Sequence, residues 1–455
     1  MKLNPILDTD SYKPSQYLQY PPNTTGMFSY LESRGGKYSE TLFFGLQYAL
    51  KEHLSTPITM EMVDEAKAFF EAHGEPFNYE GWKRIATVLG GKLPVRIRSV
   101  PEGLVIPTSN ILISVESTDP ETFWVVSWLE TMLLRVWYPI TVATQSYTIK
   151  KIIHDYLART SDDADAEILF KLHDFGSRGV SSLESAAIGG AAHLVNFMGS
   201  DTVAGVMMAR RYYNEPMAGF SIPASEHSTM TSWGRDKEAD AYRNMIKQFG
   251  KPGAIFACVS DSYDLFNAVD NIWGDELRGE VINSGATLVV RPDSGDPTEI
   301  VLKTVELLEK RFGCILNNRG YKVLNNVRVI QGDGINEETI RSILDNLSAA
   351  GYSASNIAFG MGGALLQQVN RDTQKFAFKC SEATVNGESR DVYKDPITDK
   401  GKRSKRGRIE LVFRDGKYQT VAGQNNVDSV MRTVYENGQL LIEDDFATVR
   451  GRANS

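Results

Sequence analysis

Two glycine-rich segments late in the chain, QGDG at 331–334 and FGMGG at 359–363, put consecutive backbone N–H groups where a side chain would otherwise block approach. Glycine permits close approach and positive φ, so several N–H groups at a helix start can converge on an anion such as phosphate. Either motif alone reads equally well as a tight turn; the pair on successive strands favours phosphate. RPDSGDP at 291–297 adds the guanidinium of Arg291 and the carboxylates of Asp293 and Asp296. Arg291 can grip phosphate or stack on a ring, and Asp293 can accept from sugar hydroxyls or hold Mg2+. The plain alternative is an Arg–Asp pair that stabilises the turn. SDSYD at 260–264 repeats the theme with Asp261 as a second acid.

HDFGSRG at 173–179 sets Phe175 beside Arg178. A ring on such a loop can stack on a flat heterocycle, although a Phe next to a Gly more often fills a core. His227 lies in ASEHST at 224–229, beside Glu226 and two hydroxyl residues. A lone histidine is more often structural than catalytic, and a place beyond a strand end shifts the balance toward chemistry. KGKRSKRGR at 400–408 carries six cationic residues in nine. It is a solvated basic turn by default, a polyphosphate clamp as the alternative, with nuclear targeting a weaker third reading. These residues together point to an enzyme acting on a phosphorylated sugar with Mg2+, with the reaction left open.

Such residues need a scaffold that gathers strand ends. From residue 168, short apolar runs recur at 168–172, 202–205, 220–223, 254–259, 287–290, 327–330 and 357–359, each followed by a polar loop and a helical pattern. This repetition predicts an α/β fold with a parallel sheet and crossover helices, an irregular (β/α) barrel rather than an open doubly wound sheet. In both architectures the carboxyl ends of the strands carry the chemistry. Ser181 with Glu184 has capping-box spacing, and Asp296-Pro297 with Glu299 combines an N-cap, a first-turn proline and a first-turn acid. The earlier residues mix strands predicted at 103–106 and 111–115 with helices at 60–72 and 121–136, without alternation. After Phe376 the pattern fades into the basic loop and a strand-rich tail. The predicted division is a catalytic barrel at 163–372 and a discontinuous α+β domain built from both chain ends, 1–162 and 373–455.

Composition narrows the classes. Of 455 residues, 42% are hydrophobic and 23% charged, ordinary for a globular protein long enough for two or three domains. With 49 cationic against 57 anionic side chains the net charge is −8, opposite in sign to the usual nucleic-acid binder. Cys258, Cys314 and Cys380 form no CxxC pair and lack a histidine at ligand spacing, which fits a reducing compartment rather than a disulfide framework or zinc site. The first residues, MKLNPILDTDSYKPSQ, lack the apolar core of a signal peptide. The apolar stretch 123–138 is interrupted by Glu130 and Arg135, so it reads as a buried helix rather than a membrane span. The expectation is a cytoplasmic protein with neither membrane nor nucleic acid as partner.

The segments TDSYK at 9–13, HDFGSRGVSS at 173–182, HLVNFMGSDTVAG at 193–205, EHST, SDSYD, RPDSG, QGDG and GKRSK occur in order over essentially the whole chain. As a set they resemble the nicotinamide phosphoribosyltransferase family of type II phosphoribosyltransferases. The resemblance implies that nicotinamide and phosphoribosyl pyrophosphate give nicotinamide mononucleotide and pyrophosphate, with Mg2+ as cofactor and ATP as a coupled co-substrate. It also implies a homodimer with active sites at the interface. Phe175 and Tyr12 of the partner subunit would sandwich the pyridine ring, and Asp201 would accept the carboxamide N–H. Arg178, Arg291 and Arg371, with Lys379, Lys394 and Lys402, would handle phosphate or pyrophosphate. Asp293, Gly332, Asp333 and Gly363 would hold the ribose 5-phosphate, and His227 would be phosphorylated when ATP is hydrolysed. Ser177 and Ala377 depart from the family pattern, where an aromatic and a hydroxyl are usual.

A carboxylate at 201 accepts from an amide but repels the carboxylate of nicotinate, which makes nicotinamide the expected base. The alternatives are a nicotinate phosphoribosyltransferase, a barrel lyase or isomerase acting on a sugar phosphate, and a non-catalytic scaffold. The strand-end loops contain no lysine, which counts against a Schiff-base lyase.

Overall fold

The computed structural model describes residues 4–398, 404–423 and 425–455. Contacts divide the chain into two compact units, Met1–Thr144 with Arg211–Glu215 and Asn370–Ser455, and Gln145–Arg210 with Pro216–Val369.

In the second unit a six-stranded sheet runs in the order Gly199–Ser200, Leu172–Asp174, Ile357–Met361, Val327–Gln331, Thr287–Arg291, Ile255–Val259. Every pairing in it is parallel. The longer strands read as nearly continuous apolar runs, because helices cover both faces of such a sheet. Residues 220–224 link its two edges. Phe220 bridges to Gly199 and Ala224 to Ala257, both in parallel, with Ser200 N–H donating to Phe220 O at 3.0 Å and Ala257 N–H to Pro223 O at 2.9 Å. The run predicted as a strand at 220–223 is therefore a pair of bridges that draws the sheet round on itself.

Crossover helices start where the sequence supplies caps. Asp296 accepts from the N–H groups of Thr298 and Glu299, Pro297 occupies the first turn, and Pro297–Phe312 ends at Gly313, whose φ is +75°. Val301, Thr304, Val305, Leu308 and Phe312, spaced at helical period, are its buried face. Glu337–Ala349 repeats the design, with Asn336 and Thr339 forming a reciprocal cap and Ile340, Ile343, Leu344 and Leu347 turned inward.

Several expectations shift. The strand expected at 168–172 begins at Leu172, since Ile168–Phe170 is a 3-10 turn. The run 202–205 is no strand: the sheet uses only Gly199–Ser200, and Val203 opens the helix Val203–Tyr213. The cap expected at Ser181 falls on Ser182, which accepts from Ser185 N–H.

The first unit is built on a seven-stranded antiparallel sheet in the order Glu388–Asp391, Phe376–Val385, Thr24–Ser33, Ile111–Ser117, Val95–Ser99, Arg432–Glu436, Gln439–Leu440. Met27 opposite Ala383 and Ser33 opposite Phe376 tie an early segment to a late one. The single helix expected at 121–136 is instead the turn Pro120–Thr122 and two short helices, Val125–Trp128 and Glu130–Leu134. Tertiary anchoring overrides helical propensity here. Trp128 Nε1 donates to Ile6 O at 3.1 Å, Ser127 Oγ to Gln16 at 2.7 Å, and Glu130 pairs with Lys13 at 2.5 Å. Trp82, Trp124 and Trp128 meet edge to face with centroids 5.0–5.9 Å apart. Among the described residues no helix is long and apolar enough to cross a membrane.

Candidate active site

The carboxyl ends of the parallel strands hold most of the residues singled out above. Leu172–Asp174 delivers Phe175, whose N–H donates to Met361 O at 3.0 Å. The half-buried ring packs with Ile222 and Ala358 over the small core of Ala257, Val289 and Ile330. Two glycines make room for it. A Cβ on Gly360 would sit 1.9 Å from ring Cε2, and one on Gly332 would sit 3.3 Å from the same atom. The Gly332 Cβ would also lie 3.4 Å from Asp293 Oδ1, so the ring borders the acidic strand ends. On the other side, Gly362 approaches Phe175 O, and Gly179, next to the exposed Arg178, faces Gly363.

Asp174 precedes the ring and is fully buried. Its Oδ1 accepts from Gly176 N–H at 2.7 Å, and its main-chain oxygen accepts from Asp201 N–H at 2.9 Å. Burial pushes its carboxyl up to about 6; Gly176 N–H and the Thr202 hydroxyl pull it down, and Asp201 pushes it up. A group whose native pKa is raised costs stability as pH rises from its unfolded value, 3.8, through about 6. Asp201 itself is exposed and accepts from Ser221 Oγ at 2.6 Å, which fixes one carboxylate oxygen.

His227 opens the short helix His227–Thr231 and is half exposed; its Nε2 lies 2.9 Å from Oδ1 of the buried Asp261 carboxylate. Arg291 Nη2 reaches Asp293 Oδ2 at 3.3 Å, while its buried Nε has no partner. Burial raises the Asp293 carboxyl, Arg291 and His227 lower it, and Asp261 and Asp333 raise it, so these five charged or chargeable groups share one field. Gln331, fully buried at its strand end, donates from Nε2 to Asp333 O at 2.9 Å and leaves Oε1 without a partner. Unpartnered buried atoms also occur at Asp174 Oδ2, Thr202 Oγ1 and Ser262 Oγ. Buried polar atoms are normally satisfied, and those of Arg291, Gln331 and Ser262 lie at or just beyond the carboxyl ends of the strands.

The remaining candidates belong to the other compact unit. Tyr12 is 55% exposed, with Lys13 Nζ 5.3 Å from its ring centroid. Lys379 sits opposite Tyr30 in the sheet; burial lowers its pKa, Glu130 raises it, and Arg34, Lys394 and Lys13 lower it. This is a cationic cluster in which Glu130 pairs with Lys13 and Glu32 with Arg34. Arg34 Nη2 is buried without a partner. Arg371 begins the turn Arg371–Thr373, 3.7 Å from Asp372. Lys402 lies outside the described residues.

Sequence reasoning missed Asp174, Ser221, Gly360, Gln331 and Arg34. Asp174, Gly360 and Gln331 lay inside motifs already singled out, but their importance depends on burial and neighbouring strands, which no spacing reveals. The glycine at 360 is the most testable. Gly360→Ala must displace the Phe175 ring, and overpacking of this kind costs about 1–3 kcal/mol. A lowered urea midpoint together with altered near-ultraviolet dichroism is expected; an unchanged midpoint would mean that the ring does not rest there.

Comparison with known proteins places this geometry. A family model described as the nicotinate phosphoribosyltransferase (NAPRTase) family matches residues 170–439, and one described as the nicotinamide phosphoribosyltransferase N-terminal domain matches residues 4–97. The chain is 59% identical to nicotinamide phosphoribosyltransferase of Xanthomonas campestris pv. campestris, over 99% of this chain and 98% of that one. It is 30% identical to the nicotinamide phosphoribosyltransferase of Acinetobacter baylyi, over 99% and 97% of the two chains. Among solved structures, nicotinate-nucleotide pyrophosphorylase from Pyrococcus furiosus superposes with a TM-score of 0.62 at 16% identity, covering 99% of this chain and 94% of that one. Human nicotinic acid phosphoribosyltransferase gives 0.55 at 17%, covering 98% and 93%. These structural likenesses speak for the fold, that of the type II phosphoribosyltransferases. Taken with the match over almost the whole of a 59% identical relative, they lead to one assignment: the chain belongs to the nicotinamide phosphoribosyltransferase family.

Proposed function

We infer that the chain transfers the phosphoribosyl group of phosphoribosyl pyrophosphate to the ring nitrogen of nicotinamide, releasing pyrophosphate and forming nicotinamide mononucleotide for NAD salvage. The observation that carries the reading is the Phe175 ring against Gly360 and Gly332, with Asp293 beside Gly332 and the Asp174–Asp201 link at the residue before the ring. A flat base stacked on that ring has a carboxylate to hold its amide and acidic and glycine-rich strand ends to hold a sugar phosphate. Loss of pyrophosphate leaves an oxocarbenium-like ribose, so catalysis needs exact placement of a neutral nucleophile and charge stabilisation on the leaving group.

Phe175 and Tyr12 of the partner subunit sandwich the pyridine ring and aim its nitrogen. Gly332 and Gly363 offer backbone N–H groups to the 5-phosphate, and Asp293 and Asp333 accept from ribose hydroxyls. Arg178, Arg291 and Arg371, with Lys379, Lys394 and Lys402, neutralise phosphate and pyrophosphate. Like charge crowded around Asp293 suits a cation. Among the described residues no group of three His, Cys, Asp or Glu could hold a metal alone, whereas Mg2+ needs only one or two carboxylates once substrate phosphates complete its shell. Asp261, Asp293 and Asp333 are the acids for that role, and Mg2+ supplies charge neutralisation of the leaving pyrophosphate. The homodimer has support from Leu183, Val203 and Met207, 78%, 71% and 52% exposed, with the last two one turn apart on a helix. Three free cysteines suit the reducing cytoplasm.

ATP enters through His227. With Nε2–H donating to Asp261, the Nδ1 lone pair is left to accept the γ-phosphoryl group, ADP departs, and later hydrolysis returns inorganic phosphate. His227→Ala is expected to abolish ADP release coupled to turnover and retention of label from γ-labelled ATP, while leaving slow ATP-independent synthesis; label persisting on the variant would exclude His227.

Nicotinate is the rival base. The carboxylate of Asp201 opposes it by like charge, and sites built on such a hydrogen bond discriminate by about 10⁴. Asp201→Ala is expected to lower the nicotinamide-to-nicotinate ratio of kcat/KM by more than about tenfold. Equal kcat/KM for the two bases in the natural protein, or an unchanged ratio in the variant, would contradict the assignment.

A further inference from the structure

The established reaction leaves Asp174 without a role, yet it occupies the junction of both proposed walls of the base pocket. Its backbone is paired laterally with Met361 on one side and Ser200 on the other. From that position one residue reaches two loops. The side chain accepts from Gly176 N–H at 2.7 Å and so closes the turn that carries Phe175, while the main-chain oxygen accepts from Asp201 N–H at 2.9 Å. The second carboxylate oxygen faces the crossing of Leu183–Leu194 and Val203–Tyr213. There a Cβ on Gly190 would lie 3.4 Å from Asp174 Oδ2 and 2.9 Å from Thr202 Cγ2. The Thr202 hydroxyl is near enough to favour the charged carboxylate, without a hydrogen bond of standard geometry.

A fully buried carboxylate with one oxygen unpartnered is costly, and an apolar residue of similar size would fill this place without that cost. Against that cost stands the Gly176 N–H, which the carboxylate satisfies. The main-chain bond to Asp201 is open to any residue here; what the carboxylate adds is a short charge-assisted bond to Gly176 N–H, stiffer than van der Waals contact, that fixes the Phe175 turn against the strand from which Asp201 is held.

We propose that Asp174 is a positioning residue for the base, setting the distance between the stacking face of Phe175 and the amide-accepting carboxylate of Asp201. The proposal rests on the reading of Phe175 and Asp201 as the base pocket. Asp174 touches no substrate; it acts through the two residues that do.

Steady-state kinetics of the full-length protein with nicotinamide and phosphoribosyl pyrophosphate varied separately test it. Asp174→Ala is expected to raise KM for nicotinamide by about tenfold or more while KM for phosphoribosyl pyrophosphate moves less than about threefold. Asp174→Asn, which keeps an acceptor toward Gly176, is expected to recover most of the lost affinity. If Asp174→Ala does not fold, Asp174→Leu, which fills the space without an acceptor toward Gly176, carries the same expectation. Equal changes in both KM values, or a fall in kcat and thermal midpoint alone without recovery in the Asn variant, would overturn the proposal and leave Asp174 a structural residue. Phe175→Ala and Asp201→Ala are measured alongside. If they raise the nicotinamide KM and the Asp174 variants do not, Asp174 loses its role while the pocket stands; if they too leave it unchanged, the base-pocket reading falls and this proposal with it.

Discussion

The Phe175 ring needs room at the mouth of the parallel sheet, and the neighbouring backbone is shaped around that need. A single β-carbon at residue 360 would occupy the space of the ring, so the strand Ile357–Met361 carries a glycine one residue before its end. Glycine inside a strand sacrifices packing and loses more entropy on folding than any side-chain-bearing residue, about 0.5–1 kcal/mol. Its presence there is explained by what lies over it. The second glycine, at 332, meets the same ring edge and also faces Asp293, so the surface that supports an aromatic base adjoins the surface suited to a sugar phosphate.

The two units differ in their electrostatics. In the unit that holds the parallel sheet, acids dominate the rim: Asp261 and Asp333 raise the Asp293 carboxyl, with Arg291 and His227 as counterweights. In the other unit, Lys379 is surrounded by Arg34, Lys394 and Lys13, with Glu130 opposing them. Acids suit sugar hydroxyls and a divalent cation; a cationic cluster suits polyphosphate.

The legible parts of the sequence were those governed by local rules. The helix Pro297–Phe312 follows from Asp296, Pro297 and the spacing of its apolar residues, and Met60–His73 from its period alone. The strands at 255, 287, 327 and 357 were apparent as apolar runs. What failed was set by tertiary context. A two-residue strand at Gly199–Ser200 has no periodicity to detect, whereas the apolar residues after it stand out as a run and begin a helix. The segment 121–136 has the composition of one helix, and its breaks follow from the bonds of Ser127, Trp128 and Glu130 to residues more than a hundred positions earlier in the chain. The candidate site was legible by motif where strand ends carry unusual residues. It was not legible at Asp174 or Gly360, where ordinary-looking residues matter because of what three neighbouring strands bring beside them.

The central claim is that the ring of Phe175 and the rim around it receive a pyridine carboxamide and a phosphorylated pentose together. The most direct measurement is mass-spectrometric detection of product after incubation of the purified protein with phosphoribosyl pyrophosphate, Mg2+ and an equimolar mixture of nicotinamide and nicotinate, with and without ATP. The account predicts nicotinamide mononucleotide with pyrophosphate as the dominant products in both conditions, in greater yield with ATP. Predominant nicotinate mononucleotide, or no mononucleotide from either base, would contradict it.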